Sequence, residues 1–109
     1  MSVMDIGKID GIAKCQENSE LVLLITNHLD WEAEYEHLKI LQDKINSYIN
    51  FIESKQYLEV YPQSSFESYV IEIHFQHGIS ENCLAFLEVV ANQVEEINIK
   101  IRIELEEKG

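Results

Sequence analysis

Apolar positions in this chain alternate with polar ones along several short stretches and recur at helical spacing along two longer ones. Ile9 to Cys15 and Glu20 to His28 read as two strands, joined by the polar link Gln16-Glu17-Asn18-Ser19, which has the length of a hairpin connection. Leu21 to Ile25 is apolar on both faces, which suits a central strand. A helix is expected from about Trp31 to Glu53. Leu38, Leu41, Ile45, Tyr48 and Ile52 recur there at alternating steps of three and four residues, and Trp31 and Ile49 widen the stripe. Asp30 offers an N-cap carboxylate. Ser54-Lys55-Gln56 lacks the glycine usual after a helix, so the exit is expected to hold Lys55 in a left-handed conformation.

Tyr57 to Tyr61 alternates again and pairs in this reading with Tyr69 to Gln76, as a second hairpin across the loop Pro62 to Glu67. Ser80 caps a second helix reaching about Glu95. Leu84, Leu87, Ala91 and Val94 form its inward stripe, with Cys83, Phe86 and Val90 at the margins. The chain closes on the cleanest strand signal, in which Ile97, Ile99, Ile101, Ile103 and Leu105 alternate with Asn98, Lys100, Arg102 and Glu104. The predicted order is β-β-α-β-β-α-β over a single domain, residues 1–109. Strands with one apolar face and helices with one apolar stripe bury each other, so the expected fold is an α+β two-layer sandwich. Both helices lie on one face of a mixed or antiparallel sheet, and a parallel connection through the second helix is right-handed. The opposite sheet face would present Tyr57, Glu59, Tyr61, Val70, Glu72, His74, Lys100 and Arg102. From it Tyr57, Tyr61, Glu72, His74, Lys100 and Arg102 form a candidate interaction face, whose bland alternative is a solvated one.

Charge sharpens the picture. The net charge is −12, and no Lys or Arg occurs between Lys55 and Lys100, a span rich in glutamate. Such a surface repels nucleic acid and anionic membrane, and steers a basic protein partner toward it; solubility alone also explains it. The longest wholly apolar run, Leu21 to Ile25, is far too short to cross a bilayer, and the N-terminal MSVMDIGKID has acids where a secretory signal has an apolar core. A cytoplasmic protein is expected. Cys15 and Cys83 lie too far apart for a redox or zinc pair and read as free, mostly buried thiols.

Candidate chemistry is sparse. His74 and His77 sit an odd number of residues apart along a strand, which sends their side chains to opposite faces. No Gly-x-Ser-x-Gly elbow or phosphate-cradling glycine loop is present, and neither cysteine has a neighbouring histidine. What remains is the helix start LDWEAEYEHLKIL. At about 100° per residue, Glu32 and Glu36 fall on the solvent side, where acids suit the helix dipole. Glu34 falls in the middle of the buried stripe, with Asp30 and His37 on one edge of it and Lys44 two turns further along. His28, at the end of the second strand, is placed within reach of these acids. Glu34-x-x-His37 has the spacing by which bundle di-iron proteins present a carboxylate and an imidazole, but it occurs once, and the second helix has no histidine. Asp30, Glu34, His37 and Lys44 are therefore a candidate polar cluster whose ordinary role is to tie down the helix start. No cofactor and no metal site is assigned.

The stretch LDWEAEYEHLKILQDKINSYINFIES, Leu29 to Ser54, resembles the signature of a family of small bacterial proteins of unknown function. Asp30, Trp31, His37, Leu38, Leu41, Gln42, Lys44, Ile45, Asn46, Tyr48, Tyr61 and Pro62 match its pattern, and Lys55 departs from it where a glycine is usual. The likeness extends loosely over Val70 to Phe75, Phe86-Leu87 and the last strand. It implies a single-domain protein in which Asp30, Trp31, His37 and Lys44 are family features, and it brings no activity with it. Three functions are weighed. The leading expectation is a non-enzymatic interaction protein, binding a basic partner in the manner of an antitoxin or immunity protein. The others are a ligand- or metal-binding regulatory domain built on the start of the first helix, and a small enzyme using His37 and Glu34 as an acid–base pair. Self-association as a homodimer through the Ile-rich last strand is also expected to be open to this fold.

Overall fold

The structure is a computed structural model and describes residues 3–4, 7–15, 17 and 19–106. Of the link Gln16-Glu17-Asn18-Ser19, Gln16 and Asn18 lie outside the described residues, as do Met1, Ser2, Asp5 and Ile6 of the N-terminal stretch. The elements run β1 (Gly11–Cys15), β2 (Glu20–Asn27), α1 (Glu34–Glu53), a 3-10 turn (Gln56–Glu59), β3 (Ser68–Phe75), α2 (Glu81–Val94), a second 3-10 turn (Glu95–Ile97) and β4 (Ile99–Leu105). The strands form one mixed sheet in the order β1-β2-β3-β4. β1 is antiparallel to β2, and β2, β3 and β4 are parallel.

The α+β sandwich with two helices over a mixed sheet is thus the fold. Leu21, Leu23 and Ile25 of β2, Ile71, Ile73 and Phe75 of β3 and Ile99 of β4 are buried in one core. Leu41, Ile45, Tyr48 and Ile52 of α1 join them there with Cys83, Leu87 and Val94 of α2. Both helices therefore cover the same sheet face, as two crossovers of one hand stepping in one direction require.

Three expectations are corrected. The strand at Tyr57–Tyr61 does not form: this segment is a 3-10 turn, and the predicted second hairpin is replaced by a parallel β2-α1-β3 crossover. Tyr57 turns into the core and its hydroxyl meets that of Tyr69 at 3.1 Å, so aromatic burial outweighs the alternation of Leu58 and Val60. α1 begins at Glu34, three residues later than Trp31, because Asp30 accepts from the Glu32 amide in a local turn and the N-cap is Ala33. The buried stripe of α2 centres on Cys83, Leu87 and Val94, with Leu84 rotated out into solvent. Ser80 does cap α2, accepting from the Cys83 amide at 3.1 Å. Lys55 does leave α1 in the left-handed region, with φ 62.

Candidate functional site

The helix start is the sequence's best candidate, and the fold distributes its residues among separate tasks. His37 is buried. Its Nδ1 lies 2.9 Å from the Asp30 carbonyl, which has no proton to give, so Nδ1–H donates. Nε2 then accepts from the Asn27 side-chain amide at 2.7 Å, while Asn27 Oδ1 accepts from the Leu29 amide at 3.3 Å. Trp31 stacks on the imidazole with ring centroids 3.8 Å apart, and its indole N–H donates to the Gly78 carbonyl at 3.0 Å. Burial lowers the His37 pKa and wins over the Asp30 carbonyl and the nearby acids, which act to raise it. The result is a neutral, fully engaged imidazole joining the end of β2, the entry to α1 and the β3–α2 loop.

Glu34 departs from its expected place in the buried stripe. Its carboxylate reaches the start of α2, accepting from the Asn82 side chain at 2.9 Å. Hydrogen bonds from the Ser80 hydroxyl and from Asn82 lower its pKa. The helical projection fails here because Glu34 is the first residue of α1, where the stripe has run past the core. Asp30 is exposed and Lys44 lies elsewhere, so the four residues do not converge. Among the described residues, no three His, Cys, Asp or Glu side chains come together as metal ligands would.

Lys44, which the sequence groups with the helix start, instead anchors a second polar centre around Asp10, a residue that sequence reading missed. Its ammonium, fully buried, lies 3.0 Å from Asp10 Oδ1 and donates to the Lys8 carbonyl at 2.6 Å. Asp10 Oδ2 accepts from the Thr26 amide at 2.9 Å, and the Asp10 amide donates to the Tyr48 hydroxyl at 2.9 Å. Tyr48 in turn donates to the Leu24 carbonyl. α1 is thereby pinned to the segment before β1 and to the edge of β2. Asp10 carries no local signal, since its partner is thirty-four residues away. Asn27 does carry one: it continues the inward parity of Leu21, Leu23 and Ile25, and a polar residue there needs a partner.

The open sheet face holds Glu72, His74, Lys100 and Arg102 of the candidate interaction face, but not Tyr57 or Tyr61, which lie in the 3-10 turn and the bend after it. Glu20 joins the four. It lies 3.8 Å from both Lys100 and Arg102, bridging from β2 across β3 to β4, and the fully buried Val70 sits among these chains. Arg102 donates to Glu72 at 3.0 Å, and His74 lies 2.8 Å from the same carboxylate. Burial acts to raise the Glu72 pKa, but His74 and Arg102 together hold it below the usual carboxylate value. Glu20, Glu72, His74, Lys100 and Arg102 of this face thus pair with one another. The two cysteines are free; Cys83 is buried, and burial pushes its thiol up to about 12, so it is not a nucleophile at neutral pH.

The helix side differs. Tyr35, Leu38, Lys39, Gln42 and Phe86 line a hollow of about 280 Å³ between α1 and α2. A neighbouring hollow of about 290 Å³ shares Gln42 and Phe86 and continues to Ile49, Val89 and Val90. Together they make one groove between the helices. Tyr35 is 82% exposed and Val89 56%, so apolar side chains stand open along its lip. No helix is long and apolar enough to cross a membrane among the described residues.

Comparison with curated proteins and with solved structures gives no match. A family model covers nearly the whole chain, residues 1–107, and spans the Trp31–His37 stack, the Asp10–Lys44 pair and the sheet alike. The chain belongs to that family, described as a family of unknown function (DUF6572).

Proposed function

We propose that this chain is a small protein-binding module whose helix layer receives a basic protein partner, in the manner of an antitoxin or immunity protein. The groove between α1 and α2 carries the reading. It offers the half-buried Leu38, Ile49, Phe86 and Val90 beneath the exposed Tyr35 and Val89, an apolar strip with aromatic anchors of the kind that dominate binding energy. Lys39 is the one charged residue lining the groove, but α2 has no Lys or Arg and Glu36, Glu53, Glu81 and Glu88 are exposed elsewhere on the two helices, so the helix layer as a whole would draw a basic partner. The open sheet face is the weaker choice, because its central ions, Glu20, Glu72, His74, Lys100 and Arg102, are already paired with each other. The ligand reading has less support, since the Asp30 carboxylate, the Glu34 carboxylate and the His37 ring are each engaged in structural hydrogen bonds.

The test is retention of proteins from a cell extract on the immobilised chain, set beside a Tyr35→Ala/Val89→Glu variant. The expected result is a discrete bound protein that elutes as salt is raised and is lost from the variant. Equal retention by both, or none by either, would overturn the proposal.

A further inference from the structure

Among the described residues, strand β4 is an outer strand of the sheet, hydrogen-bonded to β3 alone. The Tyr69 amide donates to the Asn98 carbonyl, and the Glu106 amide donates to the Phe75 carbonyl. The even-numbered residues of this segment therefore turn their backbone groups inward. By alternation, the N–H and C=O groups of Ile99, Ile101, Ile103 and Leu105 face outward along a free edge.

We propose that a second copy of this chain occupies that edge, β4 pairing antiparallel with β4 about a two-fold axis at Ile103. Charge complementarity selects this pairing. From Lys100 to Glu106 the segment reads Lys-Ile-Arg-Ile-Glu-Leu-Glu, basic in its first half and acidic in its second, with an apolar residue between each pair of charges. Antiparallel pairing about Ile103 sets Arg102 against Glu104 and Lys100 against Glu106, twice each by symmetry; both cations keep exposed surface beyond their contacts with Glu20 and Glu72, so a second carboxylate can join them. On the helix side it sets Ile101 against Leu105 and Ile103 against itself. Each outward-facing residue then exchanges hydrogen bonds with its opposite, as an antiparallel ladder requires.

Neighbouring registers fail. An axis at Arg102 opposes the two arginines, and an axis at Ile101 opposes Lys100 to Arg102. An axis between residues sets isoleucine against charge. Parallel pairing stacks like on like. Among the described residues, neither Glu104 nor Glu106 has a cation within ion-pair distance in its own chain, so both are available to a partner.

Apolar exposure agrees with the same edge. Leu105 is 52% exposed, and Ile101 and Ile103, though packed against the core, are only partly buried. Ala91 of α2 lines a groove with Ile99 and Ile101, and Leu84, seven residues earlier, lies on the same flank of the helix and is exposed. A two-fold axis through the sheet places both helix layers on one side, so α2 of the second copy would cover these residues. The dimer would be one continuous eight-stranded sheet, with both inter-helix grooves left open. The inference is independent of the partner-binding proposal and is tested on the purified chain alone.

The experiment is sedimentation of the full chain at a low and a high concentration, with circular dichroism as the folding control. Wild type is expected to approach twice the 12.7 kDa chain mass as concentration rises. Glu104→Lys/Glu106→Lys, at two exposed positions, should weaken the dimer more than about a hundredfold while leaving the fold intact. Glu106→Lys alone should weaken it less, and Lys100→Glu/Glu106→Lys, which exchanges the charges of one pair, should recover wild-type association. A wild type that stays at 12.7 kDa at every concentration would overturn the proposal. So would undiminished association of the Glu104/Glu106 variant, and failure of the charge exchange to recover it would overturn the Ile103 register.

Discussion

Lys44–Asp10 and Arg102–Glu72 are ion pairs of the same 3.0 Å length, yet their surroundings differ in kind. The first pair is 0% and 2% exposed and lies between α1 and the segment before β1; the second is 46% and 21% exposed and lies on the open face. Equal geometry does not mean equal energy. Water screens the outer pair and replaces either partner when it is lost, whereas water does not reach the Asp10 carboxylate to replace Lys44. The buried centre is also closed by backbone groups, with Asp10 taking the Thr26 amide and Lys44 giving to the Lys8 carbonyl. It acts as a clamp between α1 and the sheet, while the outer ladder covers Val70 and keeps the face soluble.

The largest test of that contrast is Lys44→Ala. It strands the Asp10 carboxylate in the interior and is expected to cost about 3–5 kcal/mol in urea unfolding. A cost below about 1 kcal/mol, the size of an exposed pair, would erase the distinction between the two.

His37 comes next. Its Ala variant leaves the Asn27 amide and the Asp30 carbonyl unpaired and empties the space beneath Trp31, with an expected cost of about 2–4 kcal/mol. The pH signature is distinctive. Because burial depresses the folded-state pKa below 6.5, the unfolded chain binds the proton more readily. The stability held by the neutral imidazole is complete above 6.5 and is lost as pH falls through the window beneath it. Wild type should therefore lose stability relative to His37→Ala on acidification, and parallel curves would show that His37 is not held neutral.

Tyr48→Phe removes one hydroxyl serving both the Asp10 amide and the Leu24 carbonyl, and should cost about 1–3 kcal/mol with Lys44 still in place. Combining it with Lys44→Ala sharpens the comparison, since members of one network give less than additive losses. Arg102→Ala, measured at a dilution where the chain is monomeric, should change stability least, by about 0–1 kcal/mol, and that small effect should fade at high salt while the Lys44 effect persists.

The helices, three of the strands on which the crossovers rest and the two-layer fold are legible in the sequence because each needs only local periodicity, and β1 is legible as the first half of a hairpin. Tyr57–Tyr61 misleads because alternation over five residues is a weak signal, and an aromatic cluster of Tyr57, Phe66 and Tyr69 outweighs it. The Leu84 position on α2 misleads for a related reason. A stripe of apolar residues wider than the core it meets leaves the choice of centre to packing against the sheet. At the candidate site, His37 and Lys44 stand out in the sequence as residues needing partners, but the partners themselves do not. Asn27 and Asp10 come from elements distant in the chain, and no spacing rule links them.

The sequence by itself determined the elements whose burial comes from their own pattern: Leu21 to Ile25 as an inner strand, Leu41 to Ile52 as a buried stripe, Ser80 as a cap and Lys55 as a left-handed exit. Tertiary structure decided how the polar residues among them were used. It set His37 between Asn27 and Asp30, turned Glu34 toward α2, and closed Lys44 onto Asp10. A hydrophobic pattern records only which face avoids water, whereas a hydrogen bond depends on where two distant backbones finally meet.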